Sequence, residues 1–124
     1  MKLNLETYLN LATSVFAVTV HQITIGELKG ILPGGGTLID VREVDEYVAG
    51  HIPTAVNIPL STLEDNIEKF RDEDDVYLVC QSGRRSLNAC EYLHDYDIVN
   101  VVNVVGGTSG WAAAGGVLTP GDQP

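Results

Sequence analysis

Basic residues are few in this chain. Seven lysines and arginines stand against 17 aspartates and glutamates, for a formal net charge of −10 at pH 7. So acidic a body repels phosphate backbones, which argues against nucleic acid as a partner. Cysteine is scarcer still. The two present, Cys80 and Cys90, are too few for the disulfide framework of a small secreted protein, and they fall in one segment. The three histidines, His21, His51 and His94, are scattered. No pair of cysteines or histidines has zinc-ligand spacing, so neither a metal nor a cofactor is expected. Long apolar runs are missing too. The stretch from Leu11 to Val20 is about half the ~20 residues that cross a bilayer. It follows Glu6 instead of a clearly basic start and lacks a small-x-small cleavage site, so it reads as part of the fold and not as a signal peptide. The expectation is a cytoplasmic protein with no membrane association.

What is present suits one ordinary domain. At 124 residues, 44% hydrophobic and 19% charged, the chain can bury a core without disulfides or metal. Residues 3–13 read as a short helix and Val15 to Val20, rich in β-branched residues, as a strand. Thr24 with Glu27 forms a capping box for a short helix with Leu28, Ile31 and Leu32 inward, and Pro33 to Gly36 breaks the chain. Strands are expected at Thr37–Val41, Ala55–Ile58, Val76–Val79 and Val101–Val105, and helices at Glu43–Ala49, Thr62–Phe70 and Ser86–Tyr96, with a last short one from Trp111. Val76 to Val79 shows no polar alternation, as for a strand covered on both faces. Strands alternating with helices predict an α/β fold: a central, mostly parallel five-stranded sheet flanked by helices on both faces. Ligands of such sheets bind beyond the C-terminal strand ends, the edge where Asp40, Arg42 and the segment after Val79 would sit.

That segment is Cys80-Gln81-Ser82-Gly83-Arg84-Arg85-Ser86, between a buried strand and a helix. A cysteine there faces the free N–H groups and dipole of a helix N-terminus, which favour thiolate over thiol and lower the pKa from its free value of about 8.5. Gly83 permits a tight turn, and a loop so curled can aim several N–H groups inward at an anion. Arg84 and Arg85 add positive charge suited to an anionic substrate. A buried, inert cysteine is the competing reading, and it is weakened by the agreement of the glycine, the arginines and the helix.

Cys80-x-x-Gly83-x-Arg85-Ser86 resembles the active-site loop of single-domain rhodaneses. Upstream, Asp40-Val41-Arg42 with Glu46, followed by Gly50-His51-Ile52-Pro53-Thr54-Ala55-Val56-Asn57-Ile58-Pro59, is similar to the first signature of that family. Downstream, Gly106-Gly107-Thr108-Ser109-Gly110-Trp111-Ala112-Ala113-Ala114-Gly115 is similar to its C-terminal signature. The resemblance runs from about Val18 to Val117, with Thr54 where the family often has glycine and Val117 where it often has proline. It implies a rhodanese domain over residues 15–119, a helical N-terminal extension over 1–14 and a C-terminal tail over 120–124. It further implies sulfur transfer in two steps. The Cys80 thiolate takes a sulfane sulfur from a donor such as thiosulfate, and the persulfide passes it to cyanide, a small thiol or a protein. Gln81, Ser82, Gly83, Arg84, Arg85 and Ser86 would cradle the persulfide, and Asp40 and Arg42 would brace the loop.

Cys90 shares a stripe with Leu87 and Leu93 and reads as core. His51 reads as a structural hydrogen-bonding residue, Trp111 as core or pocket wall. The acidic residues between Glu64 and Asp75 read as a solubilising face on which a basic partner could also dock. Two functional alternatives stay open: a sulfur relay or interaction module serving a partner protein, and a phosphatase or arsenate reductase of the related cysteine–arginine type. The latter place arginine one position further from the cysteine, where this chain has Ser86.

Overall fold

The computed structural model describes residues 4–5 and 19–124. Five strands, β1 (His21–Ile23), β2 (Thr37–Asp40), β3 (Val56–Asn57), β4 (Val76–Val79) and β5 (Val101–Val104), form one sheet in the order β1-β5-β4-β2-β3. Every pairing in it is parallel. The helices are α1 (Ile25–Ile31), α2 (Val44–Ala49), α3 (Arg84–His94) and α4 (Gly107–Ala113), and two 3-10 turns span Leu60–Asp65 and Ile67–Phe70. This is the α/β architecture expected from the alternation of elements.

Because side chains alternate across a strand, each strand feeds two cores. On one face Ile39, Leu78 and Val101 pack under Ala89, Cys90 and Leu93 of α3 and under Leu63 and Phe70 of the 3-10 turns. On the other, Leu38, Val79 and Val104 pack against Leu28 of α1, Tyr47 of α2 and Trp111 of α4. The chain leaving β2 therefore turns to one face through α2, and the chain leaving adjacent β4 turns to the other through α3. Adjacent strands whose connections part in this way leave a crevice at their C-terminal ends. Asp40 closes β2 and Cys80 follows β4, so both arrive there.

Several elements differ from expectation. The helix expected over residues 3–13 and the strand residues 15–18 lie outside the described residues, apart from Asn4 and Leu5. Leu5 is buried against the α3-side core, and its N–H meets the Glu64 carboxylate. The first strand falls at His21–Ile23, after the β-branched run, because pairing with β5 selects it: Ile23 aligns with Val104. Its exposed His21 and Gln22 suit a short sheet edge, where packing does not reward apolar side chains. The helix expected over Thr62–Phe70 is split at Asn66, whose side-chain amide donates to the Thr62 carbonyl at 2.8 Å and whose backbone leaves the helical region. Helix α3 starts at Arg84 instead of Ser86, and α4 at Gly107 instead of Trp111, each capped by a left-handed glycine, Gly83 and Gly106. Past α4 the chain returns to α2. His51 and Thr119 exchange backbone hydrogen bonds of 2.9 and 2.7 Å, and Gly121 N–H donates to the Val48 carbonyl at 2.9 Å. Among the described residues no helix is long and apolar enough to cross a membrane.

Thr54, noted above as a replacement of glycine, has φ +78°. A β-branched residue is strained in that region, by roughly 1–2 kcal/mol, where glycine is not. Part of that strain is offset because glycine has more unfolded-state freedom to lose. Thr54→Gly should therefore stabilise the protein by about 0.5–1 kcal/mol, raising Tm by about 2–4 °C in thermal unfolding. An unchanged or lower Tm would show that the surrounding turn relieves the strain.

Candidate active site

Cys80 leaves β4 with 1% exposure, and the chain then curls back over its sulfur. Gly83 makes the turn at φ +101°, where a Cβ would crowd the Gly106 nitrogen at 3.2 Å and the Val104 carbonyl at 3.3 Å. The turn delivers donors. Gly83 N–H points at Sγ at 3.1 Å and the Ser86 hydroxyl lies 3.3 Å from it. Burial alone pushes the Cys80 thiol up. The hydrogen bonds of the Ser86 hydroxyl and of the Ser86, Gly83 and Ser82 N–H groups outweigh burial, and the thiol sits below its ordinary value. Cys90, buried within α3 one turn after Ser86, has no such donors among the described residues, and burial pushes its thiol up. Both cysteines are free thiols.

A second glycine turn supports the first. Thr108 N–H and Oγ1–H donate to the Cys80 carbonyl at 2.8 and 3.0 Å, and Ser109 N–H donates to the Gln81 carbonyl at 3.0 Å. A Cβ on Gly107 would lie 2.5 Å from the Cys80 carbonyl oxygen, so only glycine allows this approach. From the other side comes Arg42, buried with Asp40 at side-chain exposures of 4% and 0%. Its Nη2 donates to Asp40 and to the Gly50 carbonyl, both at 2.8 Å, and its Nη1 donates to Gln81 Oε1 at 3.1 Å. Gln81 Nε2 continues to Ser109 Oγ at 2.6 Å. Asp40, Arg42, Gln81 and Ser109 thus form one polar span across the mouth. A shallow depression of about 440 Å³ lies beside it, lined by Arg42, Glu46, Ala49, Gly50, Gln81, Thr108, Ser109, Ala112 and Leu118.

The arginines of the loop do not combine into a positive mouth. Arg85 turns away into a two-pronged pair with Glu46, 2.8 Å on each prong. Arg42 is answered by Asp40. Arg84, at the start of α3, is exposed, as is Ser82. The sulfur is therefore stabilised chiefly by hydrogen bonds; Arg85, tied to Glu46, adds a coulombic attraction without bonding to it. Sequence reasoning missed four participants as site residues: Glu46, Asn103, Thr108 and Ser109. Three of them stood inside the recognised signatures. Asn103 carried one signal, a carboxamide within an otherwise apolar strand. His51 is buried and stacked on Tyr47 with ring centroids 3.7 Å apart, away from the sulfur's hydrogen-bond partners. Among the described residues no group of histidine, cysteine and carboxylate side chains is placed to hold a metal ion.

The family model for the rhodanese-like domain matches residues 24–114. The chain belongs to the rhodanese-like domain family. It is 33% identical over 116 residues to thiosulfate sulfurtransferase 18 of Arabidopsis thaliana, covering 82% of this chain and 85% of that one. It is 39% identical over 74 residues to a Bacillus subtilis protein, YrkF, whose name describes a sulfur carrier. That match covers 60% of this chain but only 40% of the relative, so this chain corresponds to well under half of that protein. A human single-domain sulfurtransferase structure superposes with TM-score 0.69 at 26% identity, over 77% of this chain and 97% of that one. Sulfurtransferases and sulfur carriers are thus the setting in which this rhodanese-like domain stands.

The Glu46 pair gives the rhodanese-like domain an acid-sensitive contact. The Arg85 hydrogen bonds, partly opposed by burial, lower the Glu46 carboxyl from 4.5 to about 2. A depressed carboxylate contributes stability that is present above its unfolded value and lost as pH falls through its folded one. The Tm difference between wild type and Glu46→Gln should be full above pH 4.5 and close toward zero by about pH 2. A difference that does not vary with pH would mean that the ion pair adds nothing beyond packing.

Proposed function

We propose that this domain is a sulfurtransferase that carries sulfane sulfur as a persulfide on Cys80. The carrying observation is the buried Sγ with an N–H at 3.1 Å and a hydroxyl at 3.3 Å, which hold the thiol below its ordinary value. In the first step the thiolate attacks the outer sulfur of a donor. For thiosulfate, the S–S bond breaks and its electron pair leaves with sulfite. In the second, an acceptor's lone pair bonds to the outer sulfur of the persulfide, and the S–S pair returns to Cys80 as thiolate. One difficult transfer is split into two displacements, each passing through charge on sulfur that fixed donors already face. The backbone of Gln81, Ser82, Gly83, Arg84, Arg85 and Ser86 frames the pocket for the outer sulfur, and Asp40 and Arg42 hold the frame. No metal or organic cofactor has a role in these steps.

A phosphatase reading fits less well. Ser86 stands where a cysteine–arginine phosphatase loop has its arginine, and the guanidinium of Arg85 is engaged by Glu46. Among the described residues, no cationic side chain bonds to the sulfur in the nest, where a tetrahedral dianion would need one. The same pairing favours a second reading of the activity, a sulfur relay for a protein partner. With Arg42 and Arg85 both paired to carboxylates, Arg84 alone among the described arginines of the mouth stands outside an ion pair to draw in a small dianion such as thiosulfate, and the net charge is −10. A persulfide donor needs no such attraction. The proposed unit is the domain over residues 15–119, working in a reducing compartment such as the cytoplasm, where both thiols stay free.

Steady-state transfer from thiosulfate and from a small-molecule persulfide to cyanide tests the assignment. Cys80→Ser should abolish transfer from both donors with the fold intact, because a hydroxyl forms no stable anion at neutral pH. Cys90→Ala should keep the activity and cost packing on the order of 1 kcal/mol. Aryl phosphate hydrolysis should be negligible throughout. Equal loss in both cysteine variants, or ready phosphate hydrolysis, would sink the proposal. Faster loading from the persulfide than from thiosulfate would favour the relay.

A further inference from the structure

Asn103 lies in the middle of β5 at 1% exposure, a carboxamide among core valines. Burying an amide without its hydrogen bonds costs roughly 1–3 kcal/mol, so each of its contacts counts. Its Nδ2 spends both protons, on Gln22 Oε1 at 2.8 Å and on the Gly83 carbonyl at 3.2 Å. Two acceptors on the nitrogen side fix which way the amide faces. Oδ1 can only accept, and it lies 2.5 Å from Ser86 Oγ. Ser86 is itself buried, and its hydroxyl has one proton for two acceptors, Asn103 Oδ1 and Cys80 Sγ at 3.3 Å. It cannot satisfy both at once.

We propose that Asn103 is a positioning residue that holds the Ser86 hydroxyl proton while Cys80 sulfur is uncharged and yields it to Sγ as the thiolate forms. Its place in turnover rests on the persulfide reading above. In the loaded protein Sγ is covalently bonded to the outer sulfur, the charge sits on that outer sulfur, and Ser86 donates to Asn103. When an acceptor such as cyanide bonds to the outer sulfur, the S–S bond breaks and its electron pair moves to Sγ. Negative charge then develops 3.3 Å from Ser86 Oγ, and the O–H turns toward it. No proton leaves the site. The turn strips Asn103 Oδ1 of its donor, and that loss limits how far the thiolate is stabilised. A thiolate held too firmly is a good leaving group but a weak nucleophile for the next loading, since nucleophilicity falls with pKa. Asn103 thereby sets a balance between the two half-reactions without touching either substrate.

The test is a double-mutant cycle read by the pH dependence of Cys80 alkylation in the full chain. Asn103→Leu keeps the shape and removes the competing acceptor. The alkylation midpoint should fall by about half a unit to one unit, because Ser86 then donates to sulfur alone. Ser86→Ala should raise the midpoint, and the double variant should match Ser86→Ala. If the leucine variant does not fold, Asn103→Val, a better strand former, carries the same comparison. The wild type offers a reading that needs no variant: the NMR resonance of the Asn103 side-chain carbonyl carbon should titrate with the midpoint of Cys80. A midpoint that stays or rises in folded Asn103→Leu, a shift that survives in the Ser86→Ala background, or an Asn103 resonance that ignores Cys80 ionisation would each overturn the assignment. Sulfur uptake is scored separately by intact mass. A wild type that takes up no sulfur overturns the persulfide reading and with it the role in turnover; one that loads sulfur while the cycle is additive overturns only the role of Asn103.

Discussion

An anion on a buried sulfur needs donors within reach as it forms. In this domain the need is met within a few residues of chain, by the Gly83 N–H at 3.1 Å and the Ser86 hydroxyl at 3.3 Å from Cys80 Sγ. Burial works against the charge, and these hydrogen bonds reverse the balance. Much of the surrounding architecture can be read as holding that curl of backbone to hydrogen-bond tolerance. The parallel sheet delivers Cys80 to the crevice between β2 and β4. The Gly106-Gly107 turn brings α4 close enough to bind the Cys80 and Gln81 carbonyls. The Asp40–Arg42 pair fixes Gln81 from the opposite wall.

Charge at the mouth follows a different logic from charge at the sulfur. The arginines near the loop are matched by carboxylates, Arg42 by Asp40 and Arg85 by Glu46, with Arg84 left exposed on an acidic body. The result is rigidity more than attraction. A buried, many-bonded guanidinium is costly to move and holds its partners in register, whereas long-range steering of small anions needs unpaired positive charge. A loop so built suits a donor that docks by shape or by protein contact at least as well as one drawn in from solution.

The architecture was legible in the sequence because several signals agreed. The apolar run Val76–Val79 lies covered on both faces, Thr24 and Glu27 form their capping box, and the strand–helix alternation yields a parallel sheet. What was not legible depended on distant partners or on a local side-chain bond that competes with the helix. His21–Ile23 is a strand only because β5 lies beside it, and the helical pattern of Thr62–Phe70 yields to a local side-chain bond at Asn66. The cysteine loop was readable as a unit since its parts are adjacent in sequence. The destination of Arg85 was not, because Glu46 reaches it across the fold from α2. Asn103 stood out as a carboxamide in an apolar strand, but its role was hidden for the same reason. Its meaning lies in Ser86, Gln22 and Gly83, which only the folded sheet assembles around it.

The central claim is that sulfur rides on one buried thiolate. Intact mass after brief exposure to a panel of sulfur donors, followed by peptide mapping, tests it most directly. One sulfur atom should be gained, mapped to Cys80, and lost on adding cyanide or a thiol. No gain from any donor, or a gain mapped to Cys90, would contradict it.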